Sequence, residues 1–216
     1  VRSEENPIDL SDEKSFLDYI SNVDSACYES DLKYFRWNTV LDFQGKDETL
    51  LHTIADRKEH QPEAISYYKD TSKTETTDSC SNFGSLQAIK VVKRNQSGVI
   101  LELELDFQNG AVSVQSEYNM RAILGCGITN INLLDGSSVE MSILPSAYIS
   151  IQAEGDGTYA VLGGGYGHGI GMSQNGAQKL CGQGFDYKRI LNYFYQDTEL
   201  TELYQPQNVT KEEGGA

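Results

Sequence analysis

The chain has 216 residues, enough for one sizeable domain or two small ones, and with 38% of them hydrophobic and 10% aromatic it suits a packed core and argues against wholesale disorder. Its formal net charge of −15 disfavours nucleic acid, whose phosphates need a basic patch, and disfavours an anionic membrane surface. It contains no run of about 18 apolar residues to span or insert into a membrane, and it opens at Val1 with neither a signal peptide nor an initiator methionine, so it reads as trimmed or processed.

In chain order, residues 8–22 predict a short amphipathic helix. Phe16, Leu17 and Ile20 recur at helical spacing, Ser11 suits the N-cap, and Asp12 and Glu13 fall in the first turn, where the helix dipole favours negative charge. Cys27 and Tyr28 precede an acidic turn at residues 29–31. Residues 34–41 are rich in aromatic and branched side chains and read as a strand, and they hold the only tryptophan. Arg36 beside Trp37 has two readings: a platform on which a pyranose ring stacks, or a core tryptophan with a solvent-facing arginine. Residues 44–79 are polar, with a helical pattern at 47–57 (Leu50, Leu51 and Ile54 on one face) and a Ser/Thr-rich loop at 69–81. His52 and His60 stand eight residues apart, match no ligand spacing, and read as surface residues.

From Gly84 the pattern turns to β structure. Residues 86–94 form a strand, 95–98 a turn, and 99–107 an alternating strand. Glu102, Glu104 and Asp106 share one face of that strand; they read as its solvated side, although two carboxylates at this spacing can also form a catalytic pair. Asn109-Gly110 predicts a hairpin turn, residues 111–115 pair back, and 117–125 form a short helix ended by Gly125. Residues 133–144 and 148–151 read as further strands, the former interrupted by Asp135-Gly136. Residues 155–160 fit a loose Gly-x-Gly-x-x-Ala pattern, but they open a strand and so read as a hairpin turn, not a phosphate loop. Cys27, Cys80, Cys126 and Cys181 show no metal or redox spacing; two disulfides in any of three pairings, or four separate thiols, remain open. Sequons occur at Asn95 and Asn208.

The chemistry concentrates in residues 163–200. Five glycines fall within 163–169 and one more stands at Gly171, with Tyr166, His168 and Gln174 among or just after them. Glycine at this density builds no core; it lets backbone turn tightly or approach a ligand. Gly167 and Gly169 can offer amides, His168 can act as acid, base or hydroxyl-orienting group, and Gln174 suits sugar hydroxyls or acetamido groups. Ser173 sits outside any nucleophile elbow and suits an N-cap for a helix to about Leu180, ended by Gly182 and Gly184. Asp186 caps a second helix with Tyr187, Ile190, Leu191 and Phe194 on one face.

The string Tyr166-Gly167-His168-Gly169-Ile170-Gly171-Met172-Ser173-Gln174-Asn175-Gly176-Ala177 resembles the C-terminal signature of the stage II sporulation protein D family, which includes the LytB-type amidase enhancers. That family usually has Trp at the place of Tyr166, and its Tyr-Tyr-Pro-Gly-Thr-like ending reads Tyr193-Phe194-Tyr195-Gln196-Asp197-Thr198 here. The aromatic strand at 34–41, the hairpin at 86–107 and the helix at 117–125 with Arg121 extend the resemblance, with gaps, over residues 10–200.

The resemblance implies an extracytoplasmic protein of the bacterial cell envelope, acting at peptidoglycan glycan strands and, in one branch, beside a cell-wall amidase. Sporulation proteins of this type are lytic transglycosylases. A glutamic acid protonates the glycosidic oxygen of peptide-stripped strands, and the sugar's 6-hydroxyl closes a 1,6-anhydro ring. The family carries that acid in a Glu-Ala-Leu-Lys-Ala-Gln-Ala-like helix, a string not found in these residues. The resemblance therefore implies a C-terminal portion that presents His168 and Gln174 as catalytic-site residues, with Tyr166, Gly167, Gly169, Ser173, Arg36, Trp37 and Arg121 binding substrate. Glu29, Glu117 and Glu154 are the substitutes considered for the acid. A non-catalytic glycan-binding or amidase-enhancing module is the alternative. No metal or other cofactor is expected. The predicted fold is α+β, a curved antiparallel sheet or open barrel with short flanking helices, forming a single domain over 1–204 with a polar tail at 205–216 and the glycine turn lining a groove.

Overall fold

The computed structural model describes residues 8–23, 27 and 29–201; Tyr28, the second sequon at Asn208 and the polar tail from 205 lie outside the described residues. The chain divides into two compact units, one running to Ile170 and the other from Gly171 onward.

The first unit opens with α1 (Glu13–Ser21), and its cap is Asp12, not Ser11. The Asp12 carboxylate accepts from the amides of Lys14 and Ser15 at 3.1 and 3.0 Å, while the Ser11 amide donates to Asp9. A carboxylate at the cap also meets the positive end of the helix dipole, which a neutral hydroxyl does less well. After it come β1 (Trp37–Asp42), α2 (Asp47–His60), a single 3-10 turn, β2 (Ile65–Tyr68), β3 (Thr76–Thr77), β4 (Leu86–Arg94), β5 (Ile100–Phe107), β6 (Gly110–Val114), α3 (Glu117–Gly125), β7 (Ile131–Leu133), β8 (Ser138–Val139), β9 (Ile149–Gly155) and β10 (Thr158–Gly163).

The ten strands form two antiparallel five-stranded sheets, in the orders β8-β7-β1-β10-β9 and β3-β2-β6-β5-β4. Neither closes into a barrel. The expected α+β class and antiparallel pairing hold, with two sheets in place of one. One apolar core joins them: Trp37, Leu41, Tyr159 and Val161 of the first sheet belong to the same cluster as Ile65, Leu103, Leu105 and Val112 of the second, with Leu50 and Ile54 of α2 and Met120 and Ile123 of α3. Arg94 ties the margins together. Its guanidinium donates to the carbonyls of Gly98 and of Ile149, pairs with Glu13, and lies 3.7 Å from the Phe16 ring centroid.

Several local readings need correction. β1 begins at Trp37, not at residue 34. The interruption read at Asp135-Gly136 is the turn between β7 and β8, but strand structure ends at Val139, and irregular chain follows. The hairpin between β5 and β6 turns on Gln108-Asn109, since Gly110 already pairs with Phe107. Gly110 lies under the Phe83 ring, where a Cβ would sit 2.5 Å away. α3 does end at Gly125, as read, but not by a left-handed turn there: a Cβ would meet the Ser142 carbonyl oxygen at 2.2 Å, so the glycine permits a close backbone approach.

The acidic face of β5 is not solvated. Glu104 and Asp106 are 5% and 6% exposed. Lys73, carried in by the loop between β2 and β3, reaches Glu104 at 2.6 Å and Glu102 at 3.4 Å; Lys90 of β4 pairs with Asp106 and lies 3.5 Å from Glu104. Ser113 of the central strand β6 donates to Glu102 at 2.8 Å. Burial alone would raise the Glu104 carboxyl, but the hydrogen bond and charge of Lys73 outweigh it and hold the group below the ordinary carboxylate range.

The second unit contains α4 (Gln174–Gly182) and α5 (Tyr187–Phe194). Both caps match expectation: Ser173 Oγ accepts from Gly176 N at 3.1 Å, and Asp186 accepts from Arg189 N at 2.8 Å. Leu180 and Ile190 are its buried side chains. Among the described residues no helix is long and apolar enough to cross a membrane.

Candidate functional site

β10 lies between β1 and β9 in the first sheet and delivers the chain into the glycine loop. Trp37 faces Gly163 across the β1–β10 ladder, and the indole covers that glycine so closely that a Cβ would sit 2.2 Å from the ring. The indole nitrogen donates to the Gly165 carbonyl at 3.1 Å. Three loop amides then find main-chain acceptors from remote segments: Gly164 N to Tyr148 O at 3.0 Å, Gly165 N to Tyr34 O at 2.7 Å, and Gly167 N to Pro145 O at 2.8 Å. Ser146 Oγ closes the set by donating to Gly164 O at 2.8 Å. Gly165 and Gly167 have φ of 78° and 116°, which a side chain would strain. The loop is thus a backbone shape fixed from three sides.

That scaffold turns two of the candidate side chains outward. Tyr166 is 65% exposed, and its ring meets that of Tyr34 with centroids 4.8 Å apart and planes tilted by 40°. His168 is exposed, and its Nδ1 accepts from Ile170 N at 3.0 Å. This bond assigns the tautomer. In the neutral ring Nδ1 carries the lone pair and Nε2 carries the proton, so the solvent side of His168 offers a hydrogen-bond donor and no base.

The other predicted site residues sit differently. Trp37 is 3% exposed and packs as core. Arg36 is not solvent-facing: it is buried, donates to the carbonyls of Ile20 and Phe35, and lies over the rings of Phe35 and Tyr19. Arg121 donates to Leu144 O at 2.8 Å and pairs with Glu117 at 3.2 Å, so it steadies the segment whose next residue, Pro145, holds Gly167. Gly169 lies near Val99. Ser173 and Gln174 belong to the second unit, where Ser173 caps α4 and Gln174 opens it with an exposed side chain. Sequence reasoning missed Tyr34, Ser146 and the carbonyls of Pro145 and Tyr148; a main-chain acceptor leaves no mark on residue type.

His52 and His60 are surface residues, as read. The four cysteines are free thiols, and Cys126 donates to Thr53 Oγ1 at 3.1 Å. Among the described residues no three His, Cys, Asp or Glu side chains are grouped to hold a metal ion. A shallow polar hollow lined by Lys69, Thr77, Ser79, Asn82 and Phe83 lies on other residues than the glycine loop.

The chain is 33% identical over 89 residues to the amidase enhancer of Bacillus subtilis (strain 168), covering 41% of this chain and 12% of that protein. It is 36% identical over 76 residues to stage II sporulation protein D of the same organism, covering 35% of this chain and 22% of that protein. The matched part thus spans about an eighth and about a fifth of the length of these curated relatives. Residues 57–171, more than half of the chain and including the clamped glycine loop, match the family described as "Domain of unknown function (DUF8618)". The chain therefore belongs to the DUF8618 family and is related in sequence to the amidase enhancer and to stage II sporulation protein D.

Proposed function

We propose that this chain is a glycan-holding module of the bacterial cell envelope, which lays a peptidoglycan strand across the glycine loop without itself supplying the acid that would cut it. The observation that carries this reading is the hydrogen bond from Ile170 N to His168 Nδ1, which leaves Nε2 as the N–H donor of the neutral ring. An Nε2–H donor on an exposed, pinned loop can orient a sugar hydroxyl or a glycosidic oxygen, whereas a base would need the opposite tautomer and would lose the bond to Ile170 N. Tyr166 supplies an adjacent aromatic ring on the same loop. The surface is acidic overall, which suits a neutral or zwitterionic polymer better than a polyanion. Extracytoplasmic location, at a sporulation septum or at the wall generally, and an amidase as protein partner belong to the same reading and draw on the names of the relatives.

Cleavage would need a carboxylic acid with a raised pKa. The buried acids of β5 do not fit, since Glu104 is held low by Lys73 and Asp106 is paired with Lys90. Glu117 is engaged by Arg121. The second reading, a lytic transglycosylase, is favoured by the likeness to stage II sporulation protein D. One experiment separates the two: incubate the chain with peptide-stripped glycan strands, measure co-sedimentation, and read products by mass spectrometry. Binding that His168→Ala weakens, with strands intact, is expected. Release of 1,6-anhydro-muramic ends establishes the second reading, and no binding at all refutes both.

A further inference from the structure

We infer that Tyr34 and Tyr166 together form a sugar-stacking platform, in which Tyr166 presents its face to a hexopyranose ring and Tyr34 is the positioning residue that holds that face in place. This rests on the glycan-holding reading and adds a residue that the sequence did not single out.

The two tyrosines differ in role because they differ in surroundings. Tyr34 is half-buried and packs against the main apolar core, and Lys33 Nζ lies 5.6 Å from its ring centroid. Tyr166 is 65% exposed. A tyrosine with that much free surface ordinarily samples several rotamers, and ordering it on binding has an entropic cost. Here its ring leans on Tyr34 at 4.8 Å, within the range of favourable aromatic pairs. Tyr34 also fixes the backbone beside it, because its carbonyl accepts the amide of Gly165 at 2.7 Å. Ring and main chain of one residue therefore hold the neighbouring aromatic twice.

The ligand class follows from the chemistry displayed. A flat ring of pyranose size, with an imidazole Nε2–H two residues further on, pairs an apolar face with a directional donor. A sugar offers the matching set, with axial C–H groups on one face and hydroxyls at the rim. Among the described residues, the nearby Arg36 guanidinium donates its hydrogen bonds to the carbonyls of Ile20 and Phe35 outside the loop, and the chain is strongly acidic, so the attraction is not to charge. Binding should accordingly be insensitive to salt.

The test uses the whole chain and two probes, a β-1,4-linked N-acetylglucosamine hexamer and peptide-stripped glycan strands, with affinity measured by calorimetry. Tyr166→Ala should weaken binding about tenfold and Tyr34→Ala by about three- to tenfold. Tyr34→Phe, which keeps the ring, should restore wild-type affinity, and Tyr166→Trp, with a larger face, should tighten it. Raising salt from about 0.05 to about 0.5 M should leave affinity unchanged. Near-ultraviolet circular dichroism checks that each variant is folded; should Tyr34→Ala unfold, Tyr166→Trp and the salt series still decide. If the wild type binds and both alanine variants bind equally well, the platform is overturned while the glycan-holding reading stands. If only Tyr166→Ala weakens binding, the bracing role of Tyr34 is overturned. If the wild type binds neither probe, both fall.

Discussion

Gly163→Ala is the most direct probe of how the first sheet shapes the loop. The added methyl would sit 2.2 Å from Cζ2 and 2.3 Å from Cε2 of Trp37, where carbon atoms at rest stay about 3.5–4.0 Å apart. One partner must therefore move by more than an ångström. The indole has little freedom to do so: it is 3% exposed, its residue is paired with Gly163 in the ladder, and its nitrogen bonds Gly165 O at 3.1 Å. Overpacking of about 1–3 kcal/mol plus a weakened hydrogen bond of about 1 kcal/mol gives a loss of about 2–4 kcal/mol. In a chain of this size that lowers Tm by about 4–16 °C. Trp37→Phe alone should lose about 2–3 kcal/mol through the orphaned Gly165 carbonyl and a partial cavity. The double variant should recover about 1–2 kcal/mol of the sum, because the methyl then fills space the indole has left. Urea unfolding followed by far-ultraviolet circular dichroism is the assay, since the Phe variants lack the only tryptophan. Stability of Gly163→Ala equal to wild type, or strict additivity of the two changes, would refute the packing described.

Two further outcomes are expected. Lys73→Met should cost about 1–2 kcal/mol at neutral pH, a figure discounted because the Lys73 side chain is 29% exposed and Lys90 remains 3.5 Å from Glu104. A carboxyl held below its ordinary value of 4.5 stabilises the fold above that pH and loses the contribution as pH falls through the lowered value, so the Tm gap between variant and wild type should close in acid. Lys73 and Lys90 are raised above 10.5, chiefly by their hydrogen bonds to Glu104 and Asp106, and the wild type should lose their contribution as pH rises past those values; a gap that stays constant from pH 3 to 7 would contradict this account. Ser173→Ala should weaken α4 by about 1 kcal/mol and Ser173→Asp should not, as read by thermal melting; equal melting of both would show that the cap bond to Gly176 contributes nothing.

The hairpin of β4 and β5, α3, the β9–β10 turn and both caps of the second unit were legible because each rests on local pattern: alternation, a glycine, a polar cap. β2 and β3 were not, because Ile-Ser-Tyr-Tyr and Thr-Thr sit in a polar stretch and gain their strand form from pairing with β6 and with each other. The acids of β5 alternate as a solvated face would, and nothing local announces that Lys73, nearly thirty residues earlier, covers them. Arg36 misled for a similar reason, since its acceptor at Ile20 lies on α1. At the candidate site, the glycine string with Tyr166 and His168 among its residues could be read directly, though not the outward orientation of those side chains. The clamps could not, because carbonyl oxygens of Pro145, Tyr148 and Tyr34 are available from any residue at those places.

The interleaving of the two sheets has a consequence in time. β2 to β6, the whole second sheet, lies in the chain between β1 and the later strands of the first sheet. β4, β5 and β6 follow one another through short turns, so that part of the sheet can assemble by closing small loops, whereas β2 must reach β6 from far earlier in the chain, Ile65 opposite Val114. The first sheet must bring β1 onto β10, and the bond from Trp37 to Gly165 joins residues 128 apart. Topology thus favours an order of events, with the β4–β5–β6 meander formed early and the glycine loop given its shape only when β10 docks. A newly made chain would hold this acidic meander before its glycine loop had a shape.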